Sequence, residues 1–412
     1  MLRRVLAVAG LTTLLVGAGV AQEAESGLSM PVTASFGAMD THRFNLFSPT
    51  ASPSVANFRL MFYPTLRLGK HWFAYAAIQV RRIPYFYYDA YLPDRDVETD
   101  LVQGYVGYTM HSGPATIVFK AGQMVTAFGS FPLRYDDAQN SLMDQPLAYI
   151  TEVPLRTGQL ACGTSDLLKQ HYGSVAANCG GEVGRGPGLT PVTLYGLPAA
   201  QAEISVRRFD ARVQMTTSSP ANPEGWAMSR QYLQWAAGGG VTIQQGFRVG
   251  VSGFRGPYLE SSIAPWLPTG TSVRSFPASA RGLDAQWARG RLSANGELQE
   301  FRFDAPNYVV PPRIVTGYAE LKARVTPRIF AAAREGFLKT ESVLDSKGVS
   351  AAEFAATLHS TEVGLGFWLH PHVLAKVSYE FMHAAGSTGS RTNVVGMQLV
   401  ATFNQLQQAF SH

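Results

Sequence analysis

The charged residues of this chain are set among alternating apolar and polar neighbours. Arg59, Arg67, Arg81, Lys120, Arg207, Arg212, Arg248, Arg291, Lys322, Arg324, Arg334 and Lys376 form a basic set; Glu203, Asp210, Asp284, Glu297, Glu320, Glu362 and Glu380 form an acidic one. Charges fixed on one face of a sheet do electrostatic rather than covalent work. Around an aqueous bore they select ions; across neighbouring strands they pair. The basic excess points to a weak preference for anions, and mutual pairing is the plainer alternative. Covalent chemistry finds little support. There is no G-x-S-x-G elbow, no HExxH, and no glycine-rich phosphate loop between a strand and a helix. His359 beside Ser360, and His383, stand near strand ends without a third partner, so the reading is not an enzyme.

A second set lies at 125–190, the longest stretch without alternation. It carries Arg134, Asp136, Asp137, Asn140 and Asp144, then both cysteines, then a Gly/Pro-rich tail. Held inward, those acids would face wall arginines and create a field across a bore. A solvated loop, or a calcium site built from the same oxygens, are the alternatives. Cys162 and Cys179 are the only cysteines, and in an exported chain they read as a disulfide. With no CxxC or CxxCH, neither a metal nor a cofactor is expected. His370-Pro371-His372 reads as a turn before it reads as a metal pair.

The elements that would position these groups are strands. Phe58, Leu60, Phe62, Leu66 and Leu68 share one face, with Arg59, Tyr63, Thr65 and Arg67 on the other. Ala200, Ala202, Ile204 and Val206 alternate with Gln201, Glu203, Ser205 and Arg207, and the pattern recurs from Val373 to Phe381. Counting from a first strand near Pro31, the series reaches sixteen and closes at Phe403. Every second connection is tight and every other one is long. That asymmetry, with an even strand number, is the layout of a transmembrane antiparallel β-barrel. Ser350 to Leu358 has helical character within one long connection.

Bulk composition agrees. Only 15 % of residues are charged, against about 25 % in ordinary globular domains. Residues 1–21 read as a signal peptide: Arg3 and Arg4, a short apolar run, then a small-x-small site at Gly19-Val20-Ala21. Residues 22–412 then form one barrel domain. Removing Arg3 and Arg4 lowers the formal charge from +5 to +3, too little and too dispersed for nucleic acid. Downstream, no apolar run is long enough for a spanning helix.

Lys120-Ala121-Gly122-Gln123-Met124 with Phe128-Gly129, followed by Asn140-Ser141-Leu142-Met143-Asp144-Gln145-Pro146-Leu147, resembles the strand-into-loop passage of bacterial outer-membrane porins of the phosphate-selective O/P type. The segment from Gly396 to Phe403 resembles the aromatic-ended signal read by the barrel assembly machinery. The resemblance implies a sixteen-stranded porin of the Gram-negative outer membrane, commonly a homotrimer set in lipid. Its third extracellular loop, here 125–190, folds into the lumen as a constriction. The implied function is passive diffusion of small hydrophilic solutes or anions. A scaffold barrel sheathing a partner such as an electron-transfer cytochrome, or a substrate-specific transporter, are the rival readings. The family's chain usually ends on its last-strand Phe; here nine residues follow Phe403, so Phe410 is a second candidate for the closing residue. Mass spectrometry of the exported protein should find Gln22 as its first residue; an intact Met1 start would overturn the leader.

Overall fold

The computed structural model describes residues 27–42, 54–82, 85, 97–171, 178–181, 188–193, 196–217, 219–221, 233–385 and 391–403. The leader and Phe410 lie outside them. The wall consists of β1 (Gly27–Ser29 and Val32–His42), β2 (Ser54–Phe62 and Thr65–Leu68), β3 (Trp72–Arg81), β4 (Glu98–Ser112), β5 (Ala115–Met124), β6 (Leu197–Val206), β7 (Phe209–Thr216) and β8 (Gln234–Gln244). It continues through β9 (Phe247–Pro257), β10 (Pro277–Arg289), β11 (Leu292–Phe303), β12 (Arg313–Arg324), β13 (Ile329–Thr340), β14 (Thr357–His370), β15 (Val373–Ala385) and β16 (Arg391–Phe403). Each strand pairs antiparallel with its neighbours in sequence, and β16 returns to β1 with Phe403 opposite Val32. The result is a closed sixteen-stranded antiparallel barrel.

The alternation has a physical outcome opposite to that of a soluble sandwich. Outward positions are apolar and bare: Phe36 is 56 % exposed, Leu365 54 % and Met397 61 %. Inward positions are polar and covered: Gln214 is 0 % exposed, Glu362 1 % and Arg59 3 %. A belt of exposed apolar side chains this continuous has to meet an apolar medium.

Two wall strands are broken side by side. β1 parts at Met30-Pro31 and β2 at Tyr63-Pro64, because proline has no N–H to give the ladder. Tyr63 N donates to Pro31 O at 2.9 Å and bridges the gap. At one end the connections are tight turns. Arg207 and Arg291, read above as wall residues, lie in or beside two of these turns rather than on the lumen face. Arg207 adopts φ 53, the only positive φ of a non-glycine residue among those described.

At the other end the described parts of the third loop and of the connections after β11 and β13 pack together. Within the third loop, Gln159–Ala161 pairs with Asn178–Gly181, helix α1 spans Thr164–His171, and Cys162 is disulfide-bonded to Cys179. A three-stranded sheet (Tyr308–Val310, Val343–Asp345, Ser350–Ala351) packs beside it. Asp345 accepts the Thr164 N–H at 2.9 Å and so satisfies one open donor at the start of α1. The helix expected between Ser350 and Leu358 does not form. Its alanine-rich propensity yields to strand pairing of Ser350–Ala351 with Val343–Leu344 and to the fully buried Phe354, whose N–H bonds Thr340 Oγ1.

Two substitutions test these local constraints. Gly122 has φ +145, and a Cβ there would lie 2.3 Å from Gly104 O, so Gly122→Ala should lower the urea midpoint of the folded barrel. Arg207→Asn should raise it, through about 1 kcal/mol of added stability, because asparagine tolerates the left-handed conformation.

Candidate functional site

Leaving β5, the chain turns into the bore and binds the wall strand by strand. Gln214 on β7 donates to Val125 O at 3.0 Å and accepts from Ala127 N at 3.1 Å. Arg212, also on β7, donates to the carbonyls of Ala127 (2.9 Å) and Gly129. Ser252 on β9 accepts from Gly129 N. On β11, Glu297 Oε1 collects Ser130 N at 2.8 Å, Ser130 Oγ at 2.6 Å and Phe131 N at 2.5 Å, while Oε2 takes the Tyr149 hydroxyl at 2.6 Å. One carboxylate thus satisfies backbone donors that would otherwise be buried without partners. Phe128 packs edge-on against Phe254 and Phe301, with centroids 5.1 and 5.6 Å away.

The chain then crosses. Arg134 reaches the Tyr318 hydroxyl on β12 at 2.7 Å, whereas its successor Tyr135 offers its carbonyl to Arg59 on β2 at 3.0 Å. Arg59 also pairs with Asp137 (3.2 Å) and bonds Gln79 (2.7 Å). Asp137 takes the Tyr85 hydroxyl at 2.9 Å; Asp136 takes Thr33 Oγ1 at 3.0 Å and the Tyr63 hydroxyl. Lys376 on β15 closes the crossing: its Nζ donates to the carbonyls of Asp137, Asn140 and Leu142 at 3.0, 3.2 and 3.1 Å. Glu362 on β14 accepts Met143 N (2.9 Å) and Asp144 N (3.3 Å), and is itself held by Arg334 at 2.6 Å. Glu297 and Arg59 stand on strands seven apart one way round the sixteen and nine the other, so the loop spans nearly the full width of the bore.

Arg59, Arg81, Lys120, Arg212, Arg248, Lys322, Arg324, Arg334 and Lys376 all come from inward positions, but most are engaged. Arg81 lies 3.4 Å from Glu98, Lys120 2.7 Å from Glu203, and Arg248 2.6 and 2.8 Å from Asp210 and Asp284. Lys322 sits over the Phe330 ring at 4.0 Å. Arg67 and Arg324 are exposed near the tight-turn end. Asp136, Asp137 and Asp144 are buried at the loop–wall contact, and Arg134 is half-buried. The partners sequence reading missed are Gln214, Tyr63, Tyr85 and Tyr149. For Gln214 and Tyr63 inward position was the only signal, and it does not say what they face; Tyr85 and Tyr149 lie in connections, where alternation gives no signal. The His359–Ser360 neighbours are split by the alternation: His359 is exposed on the outside, and Ser360 is buried inside on Glu380.

No protein-family model matches the sequence, and no curated protein matches it either. Solved structures do. The outer membrane channel DcaP of Acinetobacter baumannii aligns with a TM-score of 0.55 at 10 % identity, covering 94 % of this chain and 100 % of that one. An anion-selective porin from Comamonas acidovorans aligns at 0.53 and 11 %, covering 92 % and 100 %. OprB of Pseudomonas putida aligns at 0.51 and 13 %, covering 92 % and 94 %. The fold is that of an outer-membrane porin. At these identities the likeness is one of fold, and it agrees with the sequence resemblance at the level of porins.

The docked loop carries a pH dependence. Burial first, then the neighbouring carboxylates of Glu380 and Glu362, hold the Asp144 carboxyl well above the usual carboxylate range, while Arg334 opposes them. A carboxyl raised in the docked state contributes most below its free value, and that contribution is lost as pH rises through the raised one. Proteolytic nicking of the loop should therefore speed up above the ordinary carboxylate range, and the dependence should flatten in Asp144→Asn. Lys376→Met leaves three buried carbonyls without a donor, at roughly 1–3 kcal/mol for each one left unsatisfied. It should release the loop to proteases at all pH values while the barrel stays folded.

Proposed function

We propose that the chain is an outer-membrane porin-like channel through which small hydrophilic solutes diffuse down their gradients beside the docked third loop, with a weak preference for anions. The observation that carries this reading is the closed barrel, apolar outside and polar inside, with an inward loop across its bore. A sixteen-stranded barrel is wide enough for water, whereas eight strands are filled by their own side chains.

Charge selection rests on groups that solvent still reaches. Lys120, Glu203, Asp210 and Arg248 are partly exposed but mutually paired. Arg67, Lys322 and Arg324 have no carboxylate within ion-pair distance among the described residues, which supports a basic tight-turn mouth. Specificity for phosphate is not carried over from the resemblance, because Arg59, Arg212, Arg334 and Lys376 already spend their donors on the loop and on acids. A scaffold for an electron-transfer partner would need an unobstructed lumen, and a loop that crosses the bore weighs against it. Outer-membrane lipid, the barrel assembly machinery and a homotrimeric state belong to the same proposal.

The test is single-channel recording in a planar bilayer with a salt gradient. Steady conductance with reversal toward anions is expected, and Lys322→Gln with Arg324→Gln should cut the anion preference about twofold. A cation preference would overturn the charge reading. Silence from a correctly folded barrel would overturn open diffusion in favour of a gated, substrate-specific transporter.

A further inference from the structure

One stretch of the inner wall is aromatic. Tyr63 at the break in β2, Phe73 and Tyr75 on β3, and Tyr105 on β4 all point inward by the alternation. Tyr75 and Tyr105 are direct cross-strand partners, with ring centroids 5.3 Å apart. Tyr63 stacks beside Tyr75 at 6.5 Å and 20°, and Phe73 meets Tyr105 edge-on at 6.2 Å. Gly107 lies opposite Phe73, and a Cβ there would fall 2.2 Å from the Phe73 ring, so the missing side chain is what lets that ring lie on the sheet. Met61, Ala77 and Val102 pack against Tyr63 and Tyr75 from the long-loop side. The rings are half-buried rather than closed off, and on an inward face the surface they keep opens to the bore.

The hydroxyls nearest the loop are already engaged. Tyr63 donates to Asp136; the Tyr75 hydroxyl meets that of Tyr135, on the crossing loop, at 3.4 Å, and Tyr135 also accepts Gln103 Nε2 at 3.2 Å. The shelf therefore offers ring faces and little hydrogen bonding. That combination suits a flat aromatic ring, which stacks without polar partners. It does not suit a sugar, whose hydroxyls would lose water without replacement. At the edge of the shelf stands Lys120 on β5, its ammonium 5.3 Å from the Tyr105 centroid. One of its three donors goes to Glu203 Oε1 at 2.7 Å, and Gln201 Nε2 holds the same oxygen at 2.6 Å. The other two have no acceptor among the described residues, so they can take a carboxylate while Glu203 stays in place.

We infer that Tyr63, Phe73, Tyr75, Tyr105 and Lys120 form a subsite for small aromatic carboxylates, with the ring on the shelf and the carboxylate on the Lys120 ammonium. Tyr135 places the shelf beside the crossing, where a solute passing on that side of the loop slides along it. The inference rests on the channel reading proposed above and narrows its solute class.

The experiment adds benzoate, cyclohexanecarboxylate and glucose in turn to the folded full-length barrel in a planar bilayer and follows the chloride current. Benzoate should block at a concentration about threefold or more below that of cyclohexanecarboxylate, an acid of similar size without a flat ring. Tyr75→Leu with Tyr105→Leu should erase that difference, and Lys120→Gln should weaken block by both acids about tenfold. Tyr379→Leu, on the outer face, should change nothing. Heat-modifiable gel mobility reports that each variant is a folded barrel. Equal block by the two acids, a difference that survives in the folded double variant, or block by glucose at the benzoate concentration would each overturn the inference. Saturation-transfer NMR of benzoate with the barrel in detergent reads the subsite without any current. Binding that the double variant abolishes, in a barrel that does not conduct, keeps the subsite and rejects the channel reading; absence of binding to the wild type rejects the subsite itself.

Discussion

Closure of the hydrogen-bond ladder between β1 and β16 is the constraint on which everything else depends. In hydrocarbon an unpaired N–H or C=O costs several kcal/mol, so a sheet can stand there only without edges. Phe403 opposite Val32 supplies that closure. Once the ring is shut, each strand must send one set of side chains to lipid and the other to the bore, and every charge the chain carries at wall height is sorted by that rule. The two breaks at Pro31 and Pro64 are tolerated because they fall beside each other and Tyr63 N spans them.

The wall was legible in the sequence for the same reason. Period-two patterning is local, and no long-range information is needed to see that Arg59 and Leu60 point opposite ways. The inward loop was legible only as a break in the pattern. What binds it was not, because Glu297, Arg212, Glu362 and Lys376 meet residues between 83 and 239 positions away, through contacts that only the closed ring creates. The same limit misread Ser350 to Leu358. Its helical propensity is real, but Phe354 has a buried seat that the local sequence does not announce.

Counting lumen charges from the alternation placed most of them on the inward face, Arg207 and Arg291 excepted, but overstated how many stand free. Arg59, Arg212, Arg334 and Lys376 are inward, yet they hold the loop rather than face a permeating ion. A buried ion pair is a poor source of stability but an effective source of register, since breaking it strands a charge. Arg59–Asp137 is such a pair between wall and loop, and with the carbonyl bonds of Arg212 and Lys376 it fixes where the loop crosses.

Lys376 has a different character from the arginine anchors. Its ammonium lies among three backbone carbonyls, an arrangement that resembles a coordination shell for a monovalent cation, with the ion tethered to the wall by its own side chain. Dipoles carry no net charge for a counter-ion to screen, and the site is shut away from solvent. That contact of the crossing point is consequently one that ionic strength barely touches, unlike the exposed charges at the tight-turn end, which salt screens.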